Sequence, residues 1–324
     1  DIPEILESCD LEFSFAIAKG RGRYLCLSKL DMLLQGSDSL QAMMDLYGEE
    51  LEYPASEDQS IYTEMQDALA SDKWQGDRDE WNEPISDGDW RPLTVDRYQC
   101  TGSKCSHFRN CCFYRARNNL DGVDCIIGNH DLVLTDLAMG GGAILPEPGK
   151  CLYIFDEAHH LPFKSNNHFS SFTNIKATQV WLERSENLLQ QLTKETFLQG
   201  DQHVQVLEIM ADIRELLNQS WLFMEEILES LGTLDVYENR SQYTFQLGQV
   251  PDELKELASD LANRFVRLDE MFQEIAENMS DELEKGDKPA RRQLVEQWYP
   301  VLGKYIYRVQ GNLALWSSYA AEDI

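Results

Sequence analysis

No apolar run in the 324 residues approaches the roughly 20 that a membrane helix requires, so a soluble chain is expected. The opening D-I-P-E-I-L-E-S-C-D carries acids where a signal peptide has a basic n-region, and no apolar stretch follows; export is not expected. Nowhere does G-x-x-x-x-G-K-[S/T] occur, so these residues hold no phosphate cradle of that type. Internal repeats and low-complexity tracts are also missing, which excludes a solenoid or collagen-like architecture. Bases are scarce: 28 Lys and Arg stand against 57 Asp and Glu, a formal net charge of −29. Binding a phosphate backbone is driven by counterion release to Lys and Arg, so this balance argues against a nucleic-acid partner unless the few bases are concentrated.

They are concentrated. One group is Lys19, Arg21 and Arg23 with Lys29, and the other runs from Lys104 through Arg109 to Arg115 and Arg117. Acids crowd the stretch 45–89 and the C-terminal third instead. Net charge sets solubility and long-range steering, whereas a local basic groove can still follow a backbone. Tyr24, Phe108, Phe113 and Tyr114 stand beside those bases and suit either base stacking or local packing.

Both basic groups adjoin cysteines. Eight cysteines in a chain with no export signal read as metal ligands rather than a disulfide framework. Cys9, Cys125 and Cys151 stand alone and suit small buried hydrophobes. Cys100, Cys105, Cys111 and Cys112 lie together in Y-Q-C-T-G-S-K-C-S-H-F-R-N-C-C-F-Y. The C-x4-C-x5-C run supplies three convergent thiolates, and its spacings suit an iron–sulfur centre better than zinc knuckles, with zinc as the rival. A fourth thiolate must come from elsewhere, and Cys26 in G-R-G-R-Y-L-C-L, flanked by bases and an aromatic, is best placed.

Periodicity predicts a mainly helical, mixed α/β chain in four parts. Residues 1–24 read as an amphipathic helix with Ile2, Ile5, Leu6 and Cys9, then a strand-like run with Phe13, Phe15 and Ile17, the edge of a larger α/β unit. Residues 25–118 hold short helices, including 40–46 and 61–69, around a small core that needs a staple, which the cysteines supply. In 119–164 two apolar runs, 123–130 and 151–156, are separated by a helix over 132–139 and the break Gly140-Gly141-Gly142, a pattern that predicts parallel strands. Residues 165–324 carry long helical periodicity, with a small hairpin expected over 236–247.

The sharpest chemical signal is L-Y-I-F-D-E-A-H-H, residues 152–160. An apolar strand ending in two acids places carboxylates at the crevice where open α/β sheets bind ligands. In phosphoryl transfer Asp156 suits holding Mg2+ and Glu157 suits orienting and deprotonating the attacking water. A chance D-E-A-H is the alternative, countered by the apolar run before it and by the second run ending in Asn129-His130.

Four motifs, G-R-G-R-Y-L-C-L, C-T-G-S-K-C-S-H-F-R-N-C, I-I-G-N-H-D-L-V-L and L-Y-I-F-D-E-A-H-H-L-P, fall in sequence. In their order and spacing the chain resembles the DinG family of superfamily 2 iron–sulfur DNA helicases, relatives of XPD. The resemblance implies a partial parallel-sheet motor domain, a small cysteine-stapled cluster domain and a helical arch domain. It implies a [4Fe–4S] cluster on Cys26, Cys100, Cys105 and Cys111, with Cys111 favoured over Cys112 by spacing. It further implies an ATP- and Mg2+-dependent motor moving 5′ to 3′ on single-stranded and forked DNA in repair or replication. His159 would couple the nucleotide site to DNA, and Arg21, Arg23, Lys104 and Arg109 would line the strand's path. Further partners it suggests are DNA–RNA hybrids and a single-strand-binding protein, in a cytoplasmic, nucleoid-associated setting without membrane contact. Without the phosphate-binding loop, the chain by itself reads as an internal piece of that enzyme and is expected not to hydrolyse ATP. A zinc-stabilised interaction module and an iron–sulfur relative with an added nuclease domain are the rival readings.

Overall fold

A computed structural model describes residues 12–34, 60–231, 244–245, 248–285 and 288–321. The chain divides into two units, one built from residues up to 97 together with 105–170, the other from 98–104 together with 171 onward. The helices expected over 2–9 and 40–46 lie outside the described residues, as does all but residues 244–245 of the expected hairpin. No described helix is long and apolar enough to cross a membrane.

In the first unit, β1 (Phe15–Ala18) pairs in parallel with β2 (Cys125–Gly128), in a register that sets Phe15 opposite Cys125 and Ala18 opposite Gly128. The register is pinned at its entrance. Ser14 donates from its backbone N–H (2.8 Å) and its hydroxyl (2.7 Å) to one Asp124 carboxylate oxygen, while Asp124 and Cys125 N–H donate back to the Ser14 carbonyl at 3.1 and 3.0 Å. Those bonds hold the Asp124 carboxyl below the usual carboxylate range. Ala18, Leu120 and Leu132 cover one face, with Ala16, Ile126, Ile144 and Leu145 packed around them; Ile17 is exposed.

The expected strand over 151–156 does not form. These residues form no strand, and Leu152 and Ile154 are 86% and 87% exposed. Parallel pairing thus joins 123–130 to the run at 13–17 rather than to 151–156. A strand is stabilised by ladder bonds and by burial of its alternate side chains, and among the described residues nothing provides either here.

Around the cysteines, α1 (Leu27–Leu34), α2 (Ser60–Ala70), α3 (Asp87–Trp90) and α4 (Cys112–Asn118) are short. They enclose Tyr24, Leu25, Leu30, Tyr62, Met65, Trp74, Ile85, Trp90, Leu93, Cys112 and Phe113. The polar stretch 75–89 thus contributes to the core: Trp74 Nε1 donates to the Asp77 carbonyl at 2.7 Å and Trp90 Nε1 to the Gly22 carbonyl at 2.8 Å, so both buried indoles are satisfied. Gly76, at φ +83°, is required twice over, because it turns left-handed and a Cβ there would run into the Cys112 sulfur.

Next come α5 (His130–Ala138) and α6 (Leu161–Phe169). Asn129 caps α5, its side chain accepting from Leu132 N–H at 2.9 Å. The glycine triplet that follows wraps the buried carboxylate of Asp136, which accepts from the backbone N–H of Gly142 (3.0 Å), Ile144 (2.6 Å) and Leu145 (3.3 Å). Burial pushes this carboxyl upward, but the amides outweigh it, and its pKa lies below the ordinary value.

The second unit is four helices, α7 (Ile175–Lys194), α8 (Gly200–Leu231), α9 (Asp252–Lys285) and α10 (Pro289–Ala320), each packed on the next. Along α9 the buried residues Leu254, Ala258, Leu261, Phe265, Leu268, Phe272, Ile275 and Met279 repeat at alternating spacings of four and three, the seam of a coiled-coil-like contact. Asn174 caps α7, its side chain accepting from Ala177 N–H at 3.0 Å, and Pro251 precedes α9. The Tyr98–Lys104 segment belongs to this unit. Its Tyr98 carbonyl lies directly over Gly303 of α10, the Tyr98 and Tyr307 rings are 5.6 Å apart, Arg292 Nη2 donates to the Lys104 carbonyl at 2.8 Å, and Lys104 pairs with Glu284 at 2.8 Å.

Candidate functional site

Cys26 stands immediately before α1, its N–H donating to the Leu93 carbonyl at 2.8 Å and its carbonyl accepting from Leu30 at 3.0 Å. Cys111 holds the matching place before α4, its carbonyl accepting from Arg115 N–H at 2.9 Å. Cys105 opens the turn that leads to the single-turn helix Phe108–Asn110. All three are half-buried and belong to the first unit. Cys100, also half-buried, belongs to the second, where Gly102 N–H donates to its sulfur at 3.4 Å. Beside it, Tyr299 has its pKa raised by burial and then by the charge of Cys100.

Cys112 differs from its neighbour. It is 3% exposed, and burial pushes its thiol up to about 12, with Cys111 and Cys26 adding to the rise. A thiol kept neutral in a core is a poor ligand. No disulfide forms among the described cysteines.

Among the described residues Glu157, His159 and His160 bring three ligand atoms within 4.8 Å of one another. One tetrahedral zinc with Zn–S near 2.3 Å would hold thiolates roughly 3.8 Å apart. The donor set offered by the half-buried cysteines is all thiol.

Of the bases singled out in the sequence, Arg109 and Arg115 are exposed and have no ion pair among the described contacts. Arg21 lies over the Phe113 ring, 4.0 Å from its centroid, and 5.3 Å from that of Tyr114. Arg23 pairs with Asp79, and Lys19 with Asp77 (2.6 Å) and Asp79 (2.9 Å). Burial pulls the Lys19 pKa down, yet the bonds to both acids win and raise it; Asp79 is correspondingly lowered. Lys104 is held protonated above its ordinary pKa by Glu284. Sequence reasoning located the bases but missed Asp77, Asp79 and Glu284, the acids that answer them, because pairing across the fold leaves no mark on local composition.

At the D-E-A-H stretch, Asp156 accepts from Glu157 N–H at 2.9 Å through Oδ1, and its carbonyl lies 3.0 Å from His130 Nε2. The two motifs I-I-G-N-H-D and D-E-A-H thus meet at the carboxyl end of β2. Glu157 is left-handed, at φ +48° and ψ +39°, a conformation that costs a non-glycine residue about 1–2 kcal/mol. From there its carboxylate reaches His159 Nδ1 at 3.2 Å, and the His159 and His160 rings are 4.0 Å apart. Asp131 at the start of α5 pairs with Lys164 on α6 at 2.8 Å, tying the helices on either side of this loop. His130 and His160 were legible only as members of their motifs.

No protein-family model matches the chain. Curated relatives do, several of them named ATP-dependent DNA helicase DinG. The Photobacterium profundum protein is 29% identical over 98% of this chain and 44% of its own length, and that of Shigella flexneri 29% over 97% and 43%. The Escherichia coli K12 protein is 28% identical over 94% of this chain and 42% of its own. The chain therefore spans less than half the length of these relatives, and over nearly all of its own length it is similar to proteins named DinG helicases.

Proposed function

We propose that this chain is part of an ATP-dependent DNA helicase that moves 5′ to 3′ on single-stranded DNA and opens duplex or forked DNA in repair or replication. The observation that carries the reading is the meeting of two motifs: His130 after β2 touches the Asp156 backbone, so the acids stand beside the end of a parallel strand. The name shared by the relatives supports the same conclusion. In this reading Asp156 holds the Mg2+ of bound ATP, Glu157 orients and deprotonates the attacking water, and His159, in contact with Glu157, couples that site to DNA. Arg109 is available for a phosphate as it stands, whereas Arg21, Arg23 and Lys104 would exchange their present contacts for DNA. DNA–RNA hybrids and a single-strand-binding protein are further partners under this proposal, in a cytoplasmic, nucleoid-associated setting.

Cys26, Cys100, Cys105 and Cys111 are the proposed ligands of a [4Fe–4S] cluster. Supporting this, three of them are half-buried thiols of one unit, while the rival Cys112 is sealed in the core. Such a cluster would staple a module whose own core is small, and would supply redox chemistry. The helices α7–α10 correspond to the proposed arch.

Iron content and visible absorbance of the anaerobically purified chain test the cluster: about four irons per chain, lost in Cys105→Ser, are expected. One zinc per chain without colour would overturn it in favour of an interaction module. For the motor, Glu157→Gln in the full-length protein should abolish ATP-driven unwinding while leaving DNA binding in place. Since these residues contain no phosphate-binding loop, DNA-stimulated, Glu157-dependent ATP turnover by the chain alone would refute the assignment of roles.

A further inference from the structure

We propose that Glu157, His159 and His160 form a binding site for a borderline transition dication, Zn2+ or Ni2+, and that an ion held there silences Glu157. The second half rests on the water-activating role given to Glu157 above; the first does not.

The donor set identifies the class of ion. Two imidazoles and one carboxylate, with ligand atoms all within 4.8 Å of one another, are the His2Glu set of open zinc sites, which leave the remaining position to water. Mg2+ and Ca2+ prefer oxygen donors and would not take two imidazoles, so the ion expected at Asp156 for ATP is not the ion expected here.

Two features of the backbone hold the donors together. Glu157 is left-handed, fixed on one side by its N–H donating to Asp156 Oδ1 at 2.9 Å and on the other by its carbonyl accepting from His160 N–H at 3.0 Å. That turn folds the Glu157 carboxylate back onto His159 Nδ1, at 3.2 Å. Consecutive residues of the single-turn helix Ala158–His160 then bring the second ring to 4.0 Å from the first. All three side chains are exposed, so an ion can enter without any rearrangement of a core. Bound, it would draw the Glu157 carboxylate into its coordination sphere, where that oxygen no longer accepts a proton from water.

Equilibrium dialysis of the anaerobic, iron-loaded chain against micromolar Ni2+ tests the site, with iron content measured alongside. One Ni2+ per chain is expected, bound at least about tenfold more weakly in His159→Gln and in His160→Gln, with iron unchanged in both. Uptake equal to wild type in the two histidine variants would overturn the site. In the full-length protein, added Zn2+ should inhibit ATP turnover of the wild type more than that of His160→Gln, a residue outside the proposed motor chemistry. Equal inhibition of both would overturn the silencing. Nickel binding intact in the chain while Glu157→Gln retains full ATPase would instead remove the motor role of Glu157 and leave the metal site standing.

Discussion

Gly303 is the residue whose replacement is most informative. On a buried, otherwise regular helix, Gly→Ala normally stabilises by about 1 kcal/mol, because alanine is the better helix former. At Gly303 the added methyl would land on the Tyr98 carbonyl and within 2.9 Å of Gln99 N, and the obstacle is backbone, which cannot rotate aside. The Tyr98–Lys104 segment must lift. Lifting forfeits the Tyr98–Tyr307 ring contact, about 0.5–1.5 kcal/mol, and the charged Arg292 bond to the Lys104 carbonyl, about 1.5–3 kcal/mol. The surface pair of Lys104 with Glu284 adds little. Set against the gain in helix propensity, Gly303→Ala should destabilise by about 1–3.5 kcal/mol. Urea unfolding followed by circular dichroism measures the sign directly, and in iron-free protein the Cys100 thiol should react faster with an alkylating reagent in the variant. A variant as stable as wild type, or about 1 kcal/mol more stable, would show that the segment is not seated on α10 as described.

Asp136→Asn should cost about 2–4 kcal/mol at neutral pH, since three amides lose an anionic acceptor. Because the folded carboxyl titrates below its ordinary value, that stability is present above about pH 4 and is lost as pH falls through the lowered value; unfolding midpoints of the two proteins should converge there, and a constant gap would refute the clamp. If the proposed cluster is held as assigned, Cys111→Ala should strip iron from the protein, whereas Cys112→Ala should keep it and lose about 1–2 kcal/mol from the core, as read by iron assay and thermal unfolding; the reverse pattern would exchange the two assignments. Glu157→Gly should raise stability by about 1 kcal/mol in the same unfolding assay, because glycine accepts the left-handed turn freely; a loss would mean that the turn is not strained.

Helices were the most legible part of the fold. The four-three spacing of Leu254 to Met279 on α9, the Asn174 cap and the prolines before α9 and at the start of α10 are local signals. Strands β1 and β2 were legible as apolar runs, but which run pairs with which is decided between residues 110 apart in sequence, as in the Ser14–Asp124 latch. Hence the misjudged strand at 151–156, where an apolar pattern met no partner among the described residues. Cys111 and Cys112 are adjacent and identical in type, so only burial separates them. The seating of Tyr98 to Lys104 on α10 hangs on one glycine, and nothing near Gly303 announces what lies above it.

That seating also orders events in time. Lys104 and Arg292 are separated by 188 residues, which at about 5–20 residues per second take roughly 10–40 s to synthesise. Until α10 emerges, the strap bearing Cys100 has nothing to sit on, while Cys26, Cys105 and Cys111 already have the whole of their own unit. A ribosome-bound chain therefore passes through an interval in which the strap bearing Cys100 is still unseated while the unit that carries the other three thiols is complete.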